Sequence, residues 1–139
     1  MINPVNVNWL AVLAVAIVQM VVGFVWYSPM LFGNTWMKLS GRKMSDMEKQ
    51  KANMPKMYGA MFLGALVLGF VLAHSVAYAG AKTLLDGALV GFWSWLGFIA
   101  TASLASVLFD GKPFKLYLLN NGHYLVALLI SGAVLAVWI

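Results

Sequence analysis

Gln19, Ser94, Thr101, Asn120 and His123 are polar side chains set inside long apolar runs, and chemistry would be sought there first. A polar group in hydrocarbon is costly unless it finds a partner, so it either ties helices together or lines a path for a solute. Counting about 1.5 Å per residue from each run's end puts Gln19, Ser94 and His123 near the midplane. Thr101 and Asn120 then lie toward the cytosol. His123 and His74 also raise metal or haem ligation, because neutral imidazole is a good ligand. The same count separates the two histidines by about 10 Å along the membrane normal, so no shared metal or haem is expected. A serine nucleophile would draw on Ser94, Ser103 or Ser106 with His123 as base, but no orienting acid accompanies them. Asp86 and Asp110 sit at opposite ends of the third run, where they read as helix-end and turn residues. The chain has no cysteine, which removes disulfides, thiolate metal sites and cysteine nucleophiles. No Asp, Glu, Lys or Arg falls mid-membrane, which weighs against an ion-driven pump. No catalytic residue and no cofactor are expected.

The elements that carry these residues are four stretches without charge: Trp9–Tyr27, Tyr58–Gly80, Gly87–Phe109 and Leu116–Ile139. Each is long enough to cross a hydrocarbon slab of roughly 30 Å, for which about 20 apolar residues suffice. Composition agrees: 63% of residues are hydrophobic, 9% are charged, and the mean hydropathy is +0.86. The expected fold is all-α and integral to the membrane, four transmembrane helices in an up-down-up-down bundle. It forms one domain, 1–139, with spans at about 7–28, 57–79, 85–109 and 116–138 and a cytosolic loop 29–56. Short connections at Ala79–Thr83 and Asp110–Pro113 favour antiparallel neighbours. Residues 1–37 carry no charge, so the first span lacks the basic start of a cleaved signal and is expected to be retained.

Orientation follows from the basic residues. Eight of the nine lie in the first and third loops: Lys38, Arg42, Lys43, Lys49, Lys51, Lys56, Lys112 and Lys115; Lys82 is alone in the second. Basic residues near span ends stay in the cytoplasm, so both termini are expected outside a multi-pass protein of the cytoplasmic (inner) membrane. The first loop is expected to carry a short amphipathic segment. Trp26, Tyr27, Pro29, Phe32 and Trp36 suit the headgroup level, with Pro29 stopping the first span near Ser28. Ser45 and Glu48 have capping-box spacing for a helix from Asp46 to about Asn53, closed by Pro55. The loop's basic excess favours topology and contact with anionic lipid over nucleic acid, which is not expected as a partner.

Small residues sort packing faces in lipid, because hydrophobicity cannot. Ala65, Gly69 and Ala73 recur every fourth residue in the second span, and Gly87 and Gly91 form a GxxxG pair in the third. These are the expected helix-packing positions, within one subunit or between copies.

The chain resembles the small four-span bacterial membrane family catalogued as domain of unknown function 1761. The resemblance rests on Asn8-Trp9-Leu10-Ala11, on Trp26-Tyr27-Ser28-Pro29 with Phe32-Gly33 and Trp36, and on Met44-Ser45-Asp46. It continues through Gly97-Phe98 with Thr101, Leu108-Phe109-Asp110-Gly111-Lys112-Pro113 and Asn121-Gly122-His123-Tyr124. It implies a fold type and a membrane address, with no activity to carry over, and it directs attention to Trp26–Gly33 and Asn120–Tyr124. The expected function is a self-associating structural or accessory scaffold in the membrane, a homo-oligomer surrounded by lipid. The alternatives are a channel or transporter-like pathway for a small solute through the five-residue cluster, and a lipid- or quinone-linked membrane enzyme subunit.

Overall fold

The computed structural model describes residues 2–138. Met1 and Ile139, the two ends of the expected 1–139 domain, lie outside the described residues. The described chain is helical without strands. Helix α1 spans Trp9–Trp26, α2 Gly33–Ser40, α3 Met44–Lys49, and α4 Met54–Tyr78 after a short 3-10 turn. Helix α5, Leu84–Ser94, runs on through a π turn at Trp95–Ala100 and a 3-10 turn at Ala102–Leu104 into α6, Ala105–Leu108. Helix α7 spans Phe114–Val137. Four helical stretches, α1, the 3-10 turn with α4, α5 to α6, and α7, are long and apolar enough to cross a membrane.

Local chemistry explains most of the ends. Asn8 caps α1, its side-chain oxygen accepting from the amides of Leu10 and Ala11 at 3.1 and 3.2 Å. Thr83 caps α5 by accepting from the amide of Asp86, whose carboxylate in the first turn also suits the helix dipole. Two expectations for the first loop fail. The cap of α3 is Lys43 with Asp46, whose carboxylate accepts from the Lys43 amide at 3.0 Å; Ser45 and Glu48 lie inside the helix. Pro55 closes nothing: it sits in the first turn of α4, where a missing amide proton costs no hydrogen bond, and so starts the span earlier than expected.

Helix α7 is the centre of the assembly and packs against α1, α4 and α5. Gly87 and Gly91 of α5 lie directly on its backbone: a Cβ at Gly87 would strike the carbonyl of Gly132, and one at Gly91 that of Leu128. The GxxxG pair is thus used inside the subunit, where close approach gains dispersion contacts that lipid cannot match. Gly69 of α4 meets Val12 and Val15 of α1 instead, and Ala65 is buried on the same side of α4. Ala73 packs half-buried against a cluster of Ala11, Val15, Leu72, Val76 and Leu128. The stripes of the second and third spans therefore each face a different helix. Outward, α1 presents Leu13, Ile17, Val21 and Phe24, and α4 presents Leu63, Val67 and Val71, an apolar surface suited to lipid tails.

The third span departs from the regular helix expected over 85–109. The π turn widens the backbone ladder, and side chains take up carbonyls along it. The Tyr117 hydroxyl donates to the Ala100 carbonyl at 2.5 Å, and the Ser103 hydroxyl to the Ile99 carbonyl at 2.7 Å. Thr101 donates to the Gly97 carbonyl at 2.6 Å. A π turn survives in hydrocarbon only when the groups it frees are satisfied in this way.

Candidate functional site

The five polar residues make different hydrogen bonds, and two of them, Asn120 and His123, share Tyr27 as a neighbour. Gln19, 8% exposed, donates from its side-chain nitrogen to the fully buried Ser131 hydroxyl at 2.8 Å, tying α1 to α7 deep in the bundle. Asn120 accepts from the Tyr27 hydroxyl at 2.7 Å at the end of α1 that leads into the first loop. Thr101 is exposed and bonded to its own helix. Ser94 is half-buried, and among the described residues no hydrogen bond joins it to the other four.

His123 lies against Gly23 of α1 and Tyr27 at its end. It lies a turn beyond Asn120, with its ring 5.4 Å from that of Tyr27, 6.5 Å from Trp26 and 4.8 Å from Tyr124. It is 7% exposed, and neither ring nitrogen has a hydrogen-bond partner. His74 is at the other end of α1: its ring lies tilted 4.6 Å from that of Phe70, which in turn stacks on Trp9. Trp9 and Trp26 bracket α1, so roughly 25 Å of helix separates the two imidazole environments, more than the expected spacing. Among the described residues no group of three or more His, Asp or Glu converges as a metal site.

The two segments singled out by the resemblance meet in space. The Trp26 indole donates to the Leu119 carbonyl at 3.0 Å, and its six-membered ring packs on Gly122, where a Cβ would approach it to 3.0 Å and require the ring to shift. Phe32 lies 4.7 Å from Trp26, and Trp36 6.0 Å from Tyr27, so the aromatic residues expected at the interface form one layer. Pro29 is exposed in the turn that makes this possible. That turn folds back tightly: the amides of Phe32 and Gly33 donate to the carbonyls of Trp26 and Ser28 at 3.0 and 2.9 Å. Gly33 is required there, since a Cβ would strike the Tyr27 carbonyl. The fold-back lays α2 against the start of α7 and opens a groove of about 720 Å³ between them. Trp26, Phe32, Leu118, Leu119 and Gly122 supply its apolar walls. Lys38 and Lys115, from loops one and three, line the same groove, and no acidic side chain does.

A second knot, not anticipated, centres on Asn121. Its oxygen lies 3.0 Å from the Ser103 hydroxyl, which shares its one proton between it and the Ile99 carbonyl. Its nitrogen donates to the Tyr117 carbonyl at 2.9 Å, and its backbone carbonyl accepts from the Trp95 indole at 2.9 Å. The available signal was the set of donors Trp95, Ser103 and Tyr117 within reach of one another. Trp and Tyr seldom bury a donor without a partner.

Helices long and apolar enough to span, with polar side chains satisfied between them, define an all-helical multi-pass membrane protein. Within that class the chain belongs to the family described as a protein of unknown function, DUF1761, whose model matches residues 10–136. No curated protein and no solved structure matches it.

Proposed function

We propose that the protein is a self-associating structural or accessory scaffold of the cytoplasmic membrane, with both termini outside, an up-down-up-down course and a cytosolic first loop. The observation that carries the scaffold reading is the use of membrane-embedded polar groups as ties between helices. Gln19 is spent on Ser131, Asn120 on Tyr27 and Asn121 on Ser103. A solute pathway would need those groups facing a continuous wet stripe. The chain itself catalyses no reaction in this reading.

Three features support the topology. Eight of nine basic residues fall in loops one and three. Lys38 and Lys115, one from each loop, line a common groove. At the other end Asn8 donates to the Trp138 carbonyl at 3.4 Å, so the start of α1 adjoins the end of α7. Self-association is supported by the outer face of α4, where exposed Ala60 and Gly64 stand one turn apart and nothing lies within 4 Å of a Cβ at Gly64. Small residues so spaced let a second copy of the helix approach closely.

The cysteine-free chain makes the test clean. Gln19→Cys and Ser94→Cys are expected to resist a membrane-impermeant thiol reagent applied to either side, and labelling of both would replace the scaffold with a pathway. Gly64→Cys is expected to form a disulfide-linked dimer in native membranes. Failure to cross-link, with a monomeric mass in mild detergent, would overturn self-association.

A further inference from the structure

The groove between α2 and α7 has a polarity gradient that neither topology nor helix packing requires. Lys115 lies in the first turn of α7, and Leu118, Leu119 and Gly122 follow along the same wall. From Lys115 to Gly122 the helix rises about 10 Å, which carries the wall from charge to hydrocarbon. Across from it α2 contributes Lys38, Asn34 and Thr35. Helix α2 begins without a side-chain cap, and the backbone amides of Asn34 and Thr35 carry no hydrogen bond among the described residues. Free amides at a helix start, beside two lysines and no carboxylate, are complementary to a phosphate. The apolar continuation toward Gly122 is complementary to what a phospholipid attaches below its phosphate.

We infer that this groove is a binding site for one anionic phospholipid. Its phosphate is held by Lys38, Lys115 and the first amides of α2, and an acyl chain lies along Leu118 and Leu119 toward Gly122. Trp26 forms the floor, fixed by its own hydrogen bond to Leu119, so the site exists before the lipid arrives. This goes beyond general attraction of a basic loop to an anionic surface, because it assigns the affinity to two lysines among nine basic residues. It rests on the helices lying in a bilayer and is independent of self-association: a monomer that keeps the lipid would overturn only the latter.

The test is lipid retention by the purified full chain, delipidated and then incubated with phosphatidylglycerol or phosphatidylcholine of identical acyl chains, read by native mass spectrometry. Wild type is expected to keep one phosphatidylglycerol per chain through detergent washing and to lose phosphatidylcholine. With each basic contact near an anionic headgroup contributing as it does at a membrane surface, Lys38→Gln with Lys115→Gln should lower retention about thirtyfold. Lys49→Gln with Lys51→Gln removes the same charge elsewhere in the loop and should leave retention unchanged. Equal losses in the two pairs, or equal retention of both lipids, would overturn the inference. So would displacement of the lipid by millimolar inorganic phosphate, which would make the site one for a free anion. If the first pair does not fold, Leu118→Trp fills the acyl trough with both lysines intact. It should release the lipid, and undiminished retention would again overturn the proposal.

Discussion

Adding a single methyl group at Gly91 should destabilise the bundle, although alanine is the better helix former. Replacing glycine by alanine in a helix interior gains about 1 kcal/mol of propensity. At Gly91 the new Cβ would run into the carbonyl of Leu128, with the Leu129 amide nitrogen 3.3 Å away. These are backbone atoms of α7 and cannot rotate aside, so α5 must retreat by about 1 Å, which forfeits a quarter to a half of each contact's dispersion well. Overpacking of this kind costs about 1–3 kcal/mol, and a backbone obstacle places it near the top of that range. The net expectation is a loss of about 2 kcal/mol once the propensity gain is subtracted. Gly59 in α4 is the control, because nothing lies within 4 Å of a Cβ there. Gly59→Ala keeps only the propensity term and should gain up to about 1 kcal/mol, so the two variants should differ by about 3 kcal/mol. Unfolding in mixed micelles by titration with dodecyl sulfate, followed by tryptophan fluorescence, reads the difference. Gly91→Ala as stable as Gly59→Ala would refute the close crossing of α5 and α7.

His123→Leu removes two buried ring nitrogens that have no partner, so stability in the same titration should hold or rise by up to about 1 kcal/mol. A loss larger than that would mean the imidazole is satisfied by a group not yet identified. Tyr117→Phe strips the hydroxyl from the Ala100 carbonyl and should cost about 0.6 kcal/mol and no more than about 1.7, the average and the maximum for hydrogen bonds between membrane helices. Asn121→Leu should cost a similar amount, and the double variant less than the sum, since both residues belong to one network around the π turn. Strict additivity would show that the knot is not a unit. An enzyme reporter active only outside the cytoplasm should be active when fused after Val137 and silent when inserted in the first loop; the reverse would invert the proposed topology.

Spans were legible because length and lack of charge suffice to mark them, and Asp86, read as a helix-end residue, does stand in the first turn of α5. The first loop was harder. Two overlapping Ser/Lys–acid pairs competed for one cap, and only the fold-back at Gly33 decides how α2 lies before α3 begins. Pro55 carries opposite meanings at a helix end and in a first turn, and its neighbours alone do not choose. Which small-residue face meets which helix was not legible at all. Gly69 and Gly91 look alike in sequence, yet one faces Val12 and Val15 of α1 in tight contact and the other lies directly on the backbone of α7. The π turn is held partly by local hydroxyls, Thr101 and Ser103, and partly by the Tyr117 hydroxyl on the Ala100 carbonyl, a tertiary contact that the third span alone does not contain. Polar residues were easy to find by type, but their partners were not. Gln19 pairs with Ser131 and His123 pairs with nothing because the crossing of α1 and α7 sets depth more finely than counting residues can.

The tie between α1 and α7 is the most direct point at which to test the account. Gln19→Cys with Ser131→Cys, in the otherwise cysteine-free chain, should be joined within one chain by a short membrane-permeant bis-thiol cross-linker in native membranes, while Gln19→Cys with Thr101→Cys should not. A cross-linker is needed because the glutamine reaches Ser131 through its full side chain, and two cysteines there stand too far apart for a direct disulfide. Bridging of the second pair in preference to the first would mean that the buried polar groups gather along a common passage, contradicting their role as ties between neighbouring helices.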